Sequence, residues 1–131
     1  MQGIANALKW IMLVSGLLTC TMFYAAIDPQ GALRQTFGTT LEGPLANIVV
    51  RNWGVLITLV GVLLIYGAYR PASRPLVLVV AIVSKLAFVG LVLVYGQAYL
   101  GTAGLAVGFD LVVVGLFIAA LLHMRKAPLQ R

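Results

Sequence analysis

Residues 75–99 read PLVLVVAIVSKLAFVGLVLVYGQAY, with Lys85 as their one charged side chain. A helix needs about 20 mostly apolar residues to cross the hydrocarbon of a bilayer, and this run is long enough. Lipid offers no hydrogen bonds to a backbone, so a run this apolar has to pair its own N–H and C=O groups as a helix. The alternating pattern of a membrane barrel strand is absent.

Three other stretches read the same way, at about 4–27, 45–69 and 102–124. The expected fold is all-α: one integral membrane domain over 1–131, built as a four-transmembrane-helix bundle with an outer loop at 28–44. Composition agrees. Hydrophobic residues make up 62% of the 131 and charged residues 9%, against roughly 25% charged in soluble domains. The mean hydropathy is +1.05. The first run is too long for a cleaved leader and has no basic cluster before it, so it is read as the first span.

Nine Lys and Arg against three Asp and Glu give a net charge of +6. In a soluble protein this excess would point to nucleic acid; here the basic residues sit between and after the apolar runs, where they direct topology. Arg70 and Arg74 lie between helices two and three, and Arg125, Lys126 and Arg131 follow helix four. Lys9 begins helix one, while Arg34 and Arg51 lie toward the opposite side. Both termini are expected in the cytoplasm. Trp10, Tyr66 and Tyr69 then fall on one membrane plane and Tyr24, Trp53, Tyr95 and Tyr99 on the other, as interfacial aromatics do.

The segment 28–44 contains Pro29, Gly31, Gly38, Gly43 and Pro44 and is expected to be an irregular loop folded over the bundle. The competing reading is a short interfacial helix over 32–37, with Leu33 and Phe37 four residues apart. A tight turn is expected around Gly101.

Arg51, Lys85 and Asp110 are ionisable yet lie within the spans. A charge at mid-bilayer costs on the order of 3 kcal/mol on insertion scales, so such residues pair or line a polar cavity. At about 1.5 Å per residue, Lys85 lies roughly 15 Å and Asp110 roughly 21 Å from the expected cytoplasmic ends of their helices. Those helices are antiparallel neighbours, and a lysine can snorkel across the difference. A Lys85–Asp110 pair is therefore expected near the membrane centre, with Arg51 reaching Asp110 from the outer side. Ser84, Thr58, Asn52, Ser15 and Thr19 are candidate further hydrogen-bonding groups. The cluster has three readings: a lock on helix register, a polar cavity for a small solute or ion, and a proton relay.

Glycines mark packing faces. Gly101, Gly104, Gly108 and Gly115 lie within about 60° of one another on helix four, and small residues four apart allow close helix approach. That stripe points away from Asp110, toward either another protomer or a helix of the same chain. On helix two, Arg51, Gly54, Thr58 and Gly61 share a face, expected to be an inward, small and polar seam.

With one cysteine (Cys20) and one histidine (His123) the chain has no metal-ligand or redox pair. No metal site, cofactor or catalytic residue is assigned. The first functional reading is a non-enzymatic accessory or scaffold subunit, or a self-associating bundle. The second is a small-solute, ion or proton transporter or channel that uses the charged cluster. It lacks both the glutamate that small multidrug exporters carry in helix one and an inverted repeat. An enzyme is the third, since one His, one Cys and three acids do not assemble a nucleophile with its base. Expected partners are the lipid bilayer, a second copy of the chain or a larger membrane protein, and not nucleic acid.

Val50-Arg51-Asn52-Trp53-Gly54, followed by Gly61 and aliphatic residues, resembles helix two of the DoxX-like group of small four-helix bacterial membrane proteins. Lys85 in helix three and Asp110 in helix four fit some branches of that group; Ala46 and Asn47 stand where an acidic residue often precedes the arginine. The resemblance implies a bacterial inner-membrane protein, sometimes working beside a redox or quinone-linked partner.

Overall fold

The structure is a computed structural model and describes residues 2–126; Arg131 of the basic tail lies outside them. The described chain is helical, without a strand. Helix α1 (Gln2–Cys20) passes through a tighter turn at Thr21–Phe23 into the short α2 (Tyr24–Ile27), then come α3 (Pro29–Phe37), α4 (Pro44–Tyr69), α5 (Arg74–Tyr95) and α6 (Leu100–Lys126). Four spans are long and apolar enough to cross a membrane: Gly3–Ile27, Pro44–Tyr69, Pro71–Tyr95 and Gln97–Met124. Their outward faces are apolar too, with Leu45, Ile48, Leu56, Val83, Val94 and Leu105 all more than half exposed. Lipid is the solvent such a surface requires.

Local sequence explains the departures from four plain rods. Thr19 donates its hydroxyl to the Ser15 carbonyl at 2.6 Å, and Thr21 donates to that of Leu18. Such back-bonding bends helices, and the turn at Thr21–Phe23 follows at once. The connection between α5 and α6 lies at Gly96–Tyr99, where Tyr99 N–H donates to the Gly96 carbonyl. It therefore precedes the expected turn at Gly101, which sits inside α6. On the other side, Arg74 is buried and donates to the carbonyls of Gly67 at 3.0 Å and Ala68 at 2.7 Å. These are end-of-helix carbonyls with no partner within α4, and the guanidinium places positive charge at the helix C-terminus.

The segment expected as an irregular loop forms α3. Asp28 caps it, accepting from Gly31 N–H at 3.0 Å; Pro29 holds the first helical position, and Gly38 closes it in the left-handed conformation at φ 78°. Each is a standard end signal. Gln30 then ties α3 to α4 by donating to Asn47 Oδ1 at 2.8 Å. Removing a side-chain cap costs about 1 kcal/mol, a factor of roughly five in an equilibrium. Asp28→Ala is therefore expected to speed amide exchange across residues 29–37 about five-fold and leave α4–α6 unchanged, as read by hydrogen–deuterium exchange mass spectrometry. Unchanged exchange in α3 would show that the cap does not hold it.

Helix α1 packs along α4 and α5 along α6, and contact between α4 and α5 joins the two pairs. At the end of the bundle that carries the termini, one continuous core includes the fully buried Met12, Leu64, Leu78 and Phe117 from all four long helices. At the α3 end the core divides. Ala25, Ala32, Leu33 and Val50 form one cluster among α2, α3 and α4; Val89, Val92, Ala103 and Val107 form another between α5 and α6. Phe37 packs against both, its ring 6.1 Å from Trp53, 6.4 Å from Phe88 and 5.7 Å from Tyr99.

Candidate functional site

Lys85 and Asp110 meet where the core divides. Each sits ten residues from its side of the hairpin connection, Lys85 before Tyr95 and Asp110 after Leu100. At about 1.5 Å per residue both lie some 15 Å from the turn, so an antiparallel hairpin sets them level. Lys85 Nζ donates to Asp110 Oδ1 at 2.9 Å, with the two side chains 8% and 16% exposed. That Nζ also lies 5.9 Å from the centre of the Phe109 ring, within reach of a cation–π attraction.

The pair forms part of the wall of a cavity of about 570 Å³, within the 300–1,000 Å³ typical of small-molecule sites. Helices α4 and α5 supply a half-buried wall, with Trp53, Ile57, Val60 and Phe88 among its residues. Leu18 of α1 and Leu105 of α6, 48% and 87% exposed, stand at the rim, as does Thr36 of α3. A second space of about 610 Å³ shares Thr21, Met22, Thr36, Leu105 and Ala106 with the first and adds Gln35 and Thr102. The opening thus follows the seam between α1 and α6 toward the α3 end.

The other expected members of the cluster are placed differently. Ser84 lines the cavity beside Lys85. Arg51 does not reach Asp110; it is exposed and its guanidinium donates to the Ala26 carbonyl where the first span ends. Asn52 is exposed. Thr58 donates to the Gly54 carbonyl of its own helix at 2.7 Å, and its carbonyl accepts from the Cys20 thiol at 3.8 Å. The glycines of the face beneath Arg51 are buried where α4 meets the first span: a Cβ on Gly61 would stand 2.8 Å from the Gly16 carbonyl oxygen of α1, and one on Gly54 would stand 2.9 Å from that of Met22 in the turn that follows. On α6, Gly101, Gly104, Gly108 and Gly115 have nothing within 4 Å of such a Cβ. They pack on no helix of this chain among the described residues.

Thr19, a hydrogen-bonding candidate from the sequence, lines the cavity; Thr21, Thr36, Trp53, Phe88 and Phe109 line it as well, and the sequence reading did not include them. Thr19 stands four residues from Ser15 on a face of α1 that is otherwise apolar, a polar stripe readable from the sequence. The aromatics carry no such signal, because an aromatic facing lipid and one facing a cavity look alike in a membrane helix. Among the described residues no three His, Cys, Asp or Glu side chains converge as metal ligands would.

No family model, no curated protein and no solved structure matches the chain.

Proposed function

We propose that this chain is a small non-enzymatic membrane protein that receives a small molecule in the cavity at the α3 end, with Lys85 and Asp110 as the recognition element. One observation carries the reading: the ion pair opens onto about 570 Å³ of space. A pair that served only to lock helix register would be enclosed by packed side chains, which is how the opposite half of the bundle is built. The basic residues Arg70, Arg74, Arg125, Lys126 and Arg131 support both termini in the cytoplasm, and the DoxX-like resemblance supports a bacterial inner membrane. The cavity then opens on the outer side.

Native mass spectrometry in mild detergent tests this. The wild type is expected to carry a bound small-molecule mass, and the variant with both Lys85→Leu and Asp110→Leu to emerge without it. Emergence of the wild type bare, or retention of the same mass by the double variant, would remove the reading.

The open glycine face of α6 favours a second one, an accessory or scaffold subunit that seats another copy or a larger membrane protein. A bare wild type travelling with a stoichiometric partner or as a defined oligomer would favour it.

A further inference from the structure

The hydrogen-bonding capacity left over at the ion pair, set against the cavity's walls, selects one kind of ligand. A lysine ammonium has three N–H donors and a carboxylate two acceptor oxygens. The Lys85–Asp110 bond uses one donor and Oδ1, and no other hydrogen bond to either group forms among the described residues. Two N–H donors and Oδ2 remain, donor beside acceptor, on residues that line the space. Thr19 lines the same cavity but has given its hydroxyl proton to Ser15, so it presents lone pairs alone. The pair is neutral as a unit. A carboxylate head group would only accept and would bring negative charge against Asp110. An ammonium would only donate and would bring positive charge against Lys85. Either would leave a net charge deep in the membrane, where charge is disfavoured. A hydroxyl both donates and accepts and carries no charge.

The walls determine the rest of the molecule. Most lining residues are apolar, and the rim residues Leu18 and Leu105 face outward between α1 and α6. These two helices are not a closely packed pair, since α1 lies on α4 and α6 on α5. A water-soluble polyol would leave most of its hydroxyls unpaired against Leu, Ile, Val and Phe side chains. An alkyl chain would be in its preferred surroundings and could leave through the seam into lipid.

Resting on the binding reading above, we infer that the ligand is an uncharged amphiphile with a hydroxyl head group, held with the hydroxyl between Lys85 and Asp110 and its chain running out between α1 and α6.

Trp53 lines the cavity, and the only other tryptophan, Trp10, lies in the other half of the bundle near Tyr69, the Lys9 ammonium standing 5.8 Å and 4.9 Å from their rings. In a Trp10→Phe background, in phosphatidylcholine nanodiscs, Trp53 fluorescence is followed while dodecanol, dodecanoate or dodecylamine brominated at carbon 6, within the part of the chain the cavity would hold, is added. The alcohol is expected to quench saturably, at a mole fraction at least ten-fold lower than either charged analogue. That component should vanish when Lys85 and Asp110 are both changed to Leu. It should vanish as well in Ala106→Phe, which fills the cavity from an exposed position on α6 and leaves the pair in place. Equal or tighter saturation by the acid or the amine overturns the hydroxyl assignment and leaves the binding reading standing. Quenching that rises linearly with all three overturns both. So does a saturable component that survives both variants.

Discussion

Lys85→Leu alone is expected to destabilise the protein more than Lys85→Leu combined with Asp110→Leu. The single change leaves the Asp110 carboxylate, 16% exposed, without the ammonium 2.9 Å away. Breaking a buried pair by removing one partner costs about 3–5 kcal/mol, because the remaining charge keeps its desolvation penalty and loses its compensation. Removing both partners removes the penalty with the attraction, and apolar replacement of a buried pair is often neutral. Unfolding of the two single variants and the double variant in mixed micelles, read by circular dichroism, closes the thermodynamic cycle. Neutral hydrogen bonds between membrane helices couple by about 0.6 kcal/mol on average, about 1.7 at most. A coupling above that range is the mark of an ion pair. If the double variant loses as much as the two singles added together, the side chains do not hold each other.

Gly61→Val is the second large effect expected. Its new Cβ would stand 2.8 Å from the Gly16 carbonyl oxygen and the Cys20 Sγ, and 2.9 Å from the Cys20 backbone nitrogen. Two of these atoms are backbone, so relief requires α1 and α4 to separate along their contact. Overpacking typically costs about 1–3 kcal/mol and occasionally more; with main chain as the obstacle, about 3 kcal/mol is expected here. Gly108→Val on α6 is the control, since nothing lies within 4 Å of its Cβ, and a change of under about 1 kcal/mol is expected, the size of a helix-propensity difference. Both are read in the same micelle titration. Equal losses at Gly61 and Gly108 would mean that α1 and α4 do not approach as closely as Gly16 and Gly61 allow.

The two tests address the features that shape the cavity. The Gly16–Gly61 contact draws α1 onto α4, away from α6, and the Lys85–Asp110 bond holds α5 to α6. With the helices paired off in this way, the space beside the ion pair stays open.

The amino-acid sequence alone determined the four spans, because the transfer of an apolar segment into lipid depends on its own composition and length. It also brought Lys85 within a lysine's reach of Asp110, since antiparallel neighbours place residues by counting, but their level placement follows from the connection at Gly96–Tyr99, which precedes the turn expected at Gly101. The caps of α3, at Asp28, Pro29 and Gly38, are local signals as well, but the same residue types mark turns, and the segment reads as a loop until the structure shows the helix between them. Only the tertiary structure decided which faces pack. In lipid no hydrophobic force distinguishes a neighbouring helix from a lipid chain, so Gly61 against α1 and Gly108 against open space belong to the same sequence pattern. For the same reason the bond from Arg51 to the Ala26 carbonyl, the division of the core and the cavity beside the ion pair arise only when the four helices come together.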